Sequence, residues 1–191
     1  MKKYIIITLL MLSAALFALE IRLYPPKSFR IEDNKVYLAC QTSKLFTEEV
    51  VNFINVGVTT TFTYYIVLYR KKAFIDPIIK EIIINKRVEY DIWSEIYQIE
   101  VNYPKKRKLY YRELDKLKRH ITRLSDIYLI KQKNIDPKAT YYFKTRMTLK
   151  ITQLYSYMHL LYNFLSIFRY KTTFLKSKEL TIKDFQANKT P

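Results

Sequence analysis

Alternation across residues 59–70 constrains this chain more than any other feature. Phe62, Tyr64, Ile66 and Leu68 fall on one face, and Thr61, Thr63, Tyr65, Val67 and Tyr69 on the other. A period of two, carried by β-branched and aromatic residues, specifies a strand. Just before it stands Gly57, the only glycine in 191 residues. A glycine takes positive φ without a Cβ clash, so it can close the last turn of a helix. The stretch therefore reads as a helix that turns sharply into a long central strand.

The rest of the chain supplies partners for that strand. Residues 29–32 and 35–41 read as two short strands about the turn Asp33-Asn34, with Val36, Leu38 and Cys40 on one face. Thr47 is placed to cap a helix whose first turn holds Glu48 and Glu49, with Val50, Phe53 and Ile54 as its buried stripe. Residues 78–90 read as a strand, although Ile78, Ile79, Ile82 and Ile83 would also suit a helix turn or two. Trp93, Tyr97, Ile99, Val101 and Tyr103 share a face of the next one, which Pro104 ends. A charged loop over 105–108 follows. Tyr111, Leu114, Leu117, Ile121 and Leu124 then recur at three and four residues and predict an amphipathic helix with a basic outer face. A short strand over 127–131 and a turn over 134–137 lead to the cleanest alternation, 139–152. There Ala139, Tyr141, Phe143, Thr145, Met147, Leu149 and Ile151 point inward. Residues 172–180 suit an edge strand and 181–191 a frayed tail.

The expected class is α+β, mostly β. It has an antiparallel sheet of long strands and two amphipathic helices that cover one face of it, in the order β-β-α-β-β-β-α-β-β, with a C-terminal apolar segment. That segment, residues 154–170, is apolar nearly all round. It either closes the open side of the sheet or offers an interfacial surface. Residues 1–18 read as a signal peptide or an uncleaved anchor, and 19–180 as one exported domain. As a helix, 4–19 would rise about 24 Å, short of the roughly 30 Å hydrocarbon core, which favours a cleaved signal. The expected location is the periplasm or the cell envelope.

Composition narrows the chemistry. Cys40 is the only cysteine, so an intramolecular disulfide is excluded, and it suits a buried strand position. With His120 and His159 as the only histidines, a four-ligand Cys/His metal site is excluded too. One glycine cannot build a phosphate-cradling loop. His120, expected on the polar side of its helix, and His159 lack a serine or carboxylate motif for acyl transfer. Glu48-Glu49 suits a helix N-terminus, and Glu89-Tyr90-Asp91 a strand end. No catalytic, cofactor-binding or metal residue is expected.

The formal net charge is +17. Such a charge attracts phospholipid headgroups, lipopolysaccharide or nucleic acid, or follows from A+T-rich coding. The candidate contacts are the run Lys105, Lys106, Arg107 and Lys108, the helix face Lys116, Arg119 and Arg123, and the outward row Lys144, Arg146 and Lys150. Export makes nucleic acid the least favoured partner and leaves an envelope protein or an anionic membrane surface. The primary expectation is a non-enzymatic interaction module. A membrane-peripheral protein docking through the basic faces and 154–170 is the alternative. An enzyme is a second alternative, requiring a pocket that gathers two or more of Glu81, Glu89, Asp91, Glu95 and His120.

Five stretches carry a family resemblance. They are the turn Asn55-Val56-Gly57-Val58, the strand through Tyr69-Arg70-Lys71, the stretch from Val88-Glu89-Tyr90-Asp91 to Tyr97, the helix around 114–124 and the strand 141–149. Together they resemble domain of unknown function 4390, a family of exported bacterial proteins, across residues 29–180. The resemblance implies a signal peptide joined to this domain and an envelope role linked at most to sensing. It carries over no functional residue.

Overall fold

The computed structural model describes residues 21–26, 28–152 and 169–186. The elements run β1 (Arg22–Leu23), β2 (Ser28–Glu32), β3 (Lys35–Ser43), α1 (Glu48–Asn55), β4 (Thr60–Arg70), β5 (Ile78–Asp91), β6 (Ile96–Val101) and β7 (Arg107–Tyr111). Then come α2 (Leu114–Thr122), β8 (Arg123–Lys131), β9 (Tyr141–Ile151), β10 (Arg169–Lys171), β11 (Leu175–Lys176) and α3 (Ile182–Gln186). The class is the expected one, α+β and mostly antiparallel β.

The strand 59–70 is central, as its alternation requires. As β4 it pairs along its length with β5 on one side (Thr60↔Val88) and β9 on the other (Thr60↔Ile151, Arg70↔Tyr141). The large sheet runs β10-β9-β4-β5-β6-β7, with β11 also on β9. A smaller sheet is built on β3, which pairs with β8, β2 and β1. The inner face of each sheet is apolar, and they meet in one core. Phe62, Tyr64, Ile66 and Leu68 of β4 join Phe143 and Met147 of β9, Val36 and Leu38 of β3, and Ile127 and Leu129 of β8. Thr145 Oγ1 donates to Leu23 O across the sheets at 2.8 Å.

This second sheet is the main departure from expectation, which gave the covering role to helices. Length explains it. The nine residues of α2 rise about 13 Å, whereas the fourteen of β5 extend about 45 Å. Short helices cannot shield so long a sheet, and β3 and β8 do.

Helix α1 follows its sequence signals. Thr47 Oγ1 accepts from Val50 N, and Val50 and Ile54 are buried. At the other end Gly57 has φ 82°. Its N–H donates to Ile54 O and that of Val58 to Phe53 O, both at 3.0 Å, which satisfies two of the orphan carbonyls. A Cβ there would lie 3.4 Å from Ile92 Cδ1. Gly57→Ala is therefore expected to lower unfolding free energy by about 1–2 kcal/mol, read by urea unfolding.

Five local expectations are corrected. Trp93 does not face inward: it is 98% exposed, because Asp91 accepts from the backbone N–H groups of Trp93 and Ser94 and forms a turn before β6 starts. Tyr97, Ile99 and Val101 do face inward. Arg107 and Lys108 are not loop residues but the start of β7, paired with Val101 and Glu100. The amphipathic helix is shorter than its apolar pattern, since Tyr111 belongs to β7 and Leu124 to β8. On the outward row of β9, Tyr142 and Thr148 are buried. Lastly, 182–186 is helical rather than frayed, with Phe185 buried 4.7 Å from the Phe29 ring and 6.0 Å from that of Tyr141. Of the edge strand expected over 172–180, the two residues of β11 pair with β9, while β10 lies before that range. The expected signal segment 1–18 lies outside the described residues, as does all but the end of 154–170. No helix among the described residues is long and apolar enough to cross a membrane.

Candidate functional site: a cationic cleft beside α2

The inward face of β5 reads Ile82, Ile84, Lys86, Val88. Lys86 thus occupies an apolar register position and is only 4% exposed. A buried ammonium needs partners, and Lys86 finds them at the C-terminal end of α2. It donates to His120 O and, at 3.1 Å, to Arg123 O. Neighbouring carbonyls are satisfied from both sheets: Tyr64 OH of β4 donates to Ile121 O at 2.7 Å and Thr42 Oγ1 of β3 to Thr122 O at 3.2 Å. Cations and donors at a helix C-terminus oppose its negative dipole end, so Lys86 has a structural duty. Even so, burial and then the charge of Arg107 push its ammonium down to a pKa of about 7.

Above Lys86 opens a cleft of about 550 Å³. Its walls come from β5, β6 and β7 on one side and α2 and β8 on the other, and they carry Lys86, Arg107, Lys116, Arg119, His120 and Arg123. The carboxylate in the lining is Asp126, which already holds Arg30 at 2.9 Å. Lys116 pairs with Glu113 at 2.6 Å. Arg107, Arg119 and Arg123 make no ion pair among the described residues.

His120, expected on the polar face of its helix, is half-buried instead. Its Nδ1 lies 3.2 Å from Tyr111 OH, and its Nε2 is buried without a partner. Burial, followed by the charges of Lys86 and Arg107, pushes its pKa down to about 4, so the ring is neutral at pH 7. When Tyr111 donates to Nδ1, the ring proton sits on Nε2, and that N–H lacks an acceptor.

Of the ten cations singled out from the sequence, the cleft gathers Arg107, Lys116, Arg119 and Arg123. Lys106 pairs with Glu100 at 3.0 Å, and Lys108 stands opposite Glu100 on the neighbouring strand. Lys105 is exposed between β6 and β7. Lys144 and Arg146 lie on the outer face of the large sheet over aromatic rings: Lys144 Nζ is 5.0 Å from the Tyr69 centroid, and the Arg146 guanidinium is 4.6 Å from Tyr65 and 4.4 Å from Phe174. Lys150 is exposed on the same strand. Sequence reasoning missed Lys86, although a lysine between Ile84 and Val88 at inward spacing was the available signal.

The acidic residues considered for an enzyme are scattered. Glu89 pairs with Arg87 at 2.5 Å, Asp91 and Glu95 sit at the exposed turn before β6, and Glu81 is exposed. Among the described residues no group of three His, Cys, Asp or Glu side chains could hold a metal ion. What the cleft can do chemically is bind negative charge. Arginines offer forked donors, and His120 adds a directed N–H.

No curated protein and no solved structure matches the chain. A family model does, over residues 27–173, a span that holds both sheets' main strands and every residue of the cleft. On that match, the chain belongs to the family described as Domain of unknown function (DUF4390).

Proposed function

We propose that this protein is a non-enzymatic binding module of the exported cell envelope, and that it takes an anionic group of its partner in the cleft beside α2. One observation carries the reading: Arg107, Arg119 and Arg123, without carboxylate partners among the described residues, converge with Lys86 and the unpaired His120 Nε2 on one cavity. A solvated surface spreads its cations apart, and gathering them costs repulsion that an anion relieves. Export rests on the apolar N-terminal stretch, and the absence of enzymatic activity on the scattered carboxylates.

The test is thermal unfolding with increasing sulfate, set against chloride at equal ionic strength. Saturable stabilisation is expected. Arg119→Glu with Arg123→Glu should weaken it about tenfold or more, since each charge-assisted contact is substantial. Lys144→Glu with Lys150→Glu, on the other sheet face, should leave it intact. An unsaturable response, or equal responses in all three proteins, would refute the reading.

The pH dependence has a definite sign. Lys86 faces Arg107, His120, Arg123 and Tyr64, and it loses its proton near pH 7. Sulfate keeps its charge across that range, so its affinity should fall as pH rises from about 6 to about 8. An affinity independent of pH there would remove Lys86 from the site.

A further inference from the structure

The connection between β4 and β5 holds a second feature, independent of the cleft. Phe74 is 99% exposed, Ile75 81% and Ile78 57%. Large apolar side chains at such exposure on a floppy loop would be unremarkable. This loop is built. Arg70 N donates to Pro77 O at 3.1 Å and closes the hairpin. Asp76 accepts from Lys72 N and from Tyr142 OH, each at 2.8 Å. Tyr142 is itself buried and stacked on Tyr69, ring centroids 5.1 Å apart. The sheet thus holds the tip rigid from below while Phe74 and Ile75 stand in water.

The surroundings name the occupant. A groove of about 480 Å³ at the base of the tip carries Arg70, Lys71, Lys72 and Lys138 in its lining, with Glu179 as its one carboxylate. Lys71 is bound to Glu179, but Lys72 and Lys138 make no ion pair among the described residues. Apolar residues projecting beyond a collar of lysines match a bilayer surface, where acyl chains lie beneath anionic headgroups. The opposite end of β5 offers a contrast. Ile92 and Trp93 are also exposed there, 58% and 98%, but the charges in that turn are Asp91 and Glu95. Apolar exposure alone fails to distinguish the two ends; charge does.

We propose that the β4–β5 tip docks on an anionic membrane surface, with Phe74 and Ile75 entering the acyl boundary and Lys72 and Lys138 holding headgroup phosphates. The occupant is a lipid surface, not a soluble anion, because the apolar pair has no use in binding a free phosphate.

The experiment uses the full chain and vesicles of phosphatidylglycerol and phosphatidylcholine in equal parts, with brominated acyl chains. Residues 4–19 are themselves apolar, so attachment to vesicles is not the readout. Quenching at a stated position is. One protein carries Phe74→Trp with Trp93→Phe; the other keeps Trp93, the only native tryptophan, about 45 Å away along β5. The position-74 reporter should shift to the blue and be quenched about twofold or more beyond Trp93. Both effects should fade on pure phosphatidylcholine and in a Lys72→Glu, Lys138→Glu background. These positions are exposed, so the variants keep the fold. The proposal is overturned by a reporter that stays in water, by equal quenching at both positions, or by quenching indifferent to the lysines.

Discussion

Phe143→Ala is expected to lower the unfolding free energy by about 3–5 kcal/mol, the upper range for emptying a core position. Phe143 has no exposed surface and sits in β9 opposite Leu68 of β4. Its ring lies 5.8 Å from that of Phe29 in the smaller sheet, and Phe29 in turn touches Phe185 of α3. The cavity would open where two sheets and a helix meet. Ladder hydrogen bonds hold β9 on β4, so the walls cannot collapse to fill it. Urea unfolding followed by circular dichroism measures the loss. A cost under about 1.5 kcal/mol, the size of a tolerated core swap, would mean that the sheets are not packed together at this point.

The second large effect is a rise in stability with pH. Between about pH 7 and about pH 10 the native chain should gain roughly 4 kcal/mol from Lys86, the limit for one group shifted this far. In the unfolded chain a lysine keeps its proton to about pH 10.4. In the fold Lys86 gives it up near pH 7, because burial first and Arg107 second disfavour the ammonium. Across that window the unfolded state binds one more proton, so stability climbs with pH. Below it both states are protonated and the slope vanishes. Lys86→Met keeps the side-chain volume and removes the titration. Unfolding of both proteins, measured at each pH, cancels what other groups contribute. The gap between wild type and variant should widen in favour of wild type from pH 7 to pH 10. Parallel curves would show that Lys86 does not titrate in this range.

Much of the framework was legible because local rules decide it. β4 and β9 alternate without a break, and a one-residue slip would turn every buried side chain outward. The lone glycine marked the end of α1 because only that residue type takes the conformation cheaply. Partition into two sheets was not legible: β3 pairs with β8 about ninety residues later, and no local pattern encodes such a partner. Residues 105–108 looked like a solvated loop because their charge hid the start of an edge strand. Phe185 was lost among the polar residues of the tail.

The cleft was half legible. Arg107, Lys116, Arg119 and Arg123 stood out as cations, but in separate stretches. The path β7–α2–β8 folds them around one space. Lys86 escaped notice, and His120 was placed on the wrong side of its helix, because a basic residue reads as exposed unless its register is weighed against its type.

The position of β4 also bears on how the chain can be made. One of its neighbours, β5, follows it directly. The other, β9, ends at Ile151. Until that residue has been synthesised, eleven residues of β4 lack a ladder partner along one entire side. An unpaired strand of that length, rich in tyrosine and threonine, is a template for the same segment of another nascent copy. Late arrival of β9 therefore leaves a defined interval in which that side is open to mispairing.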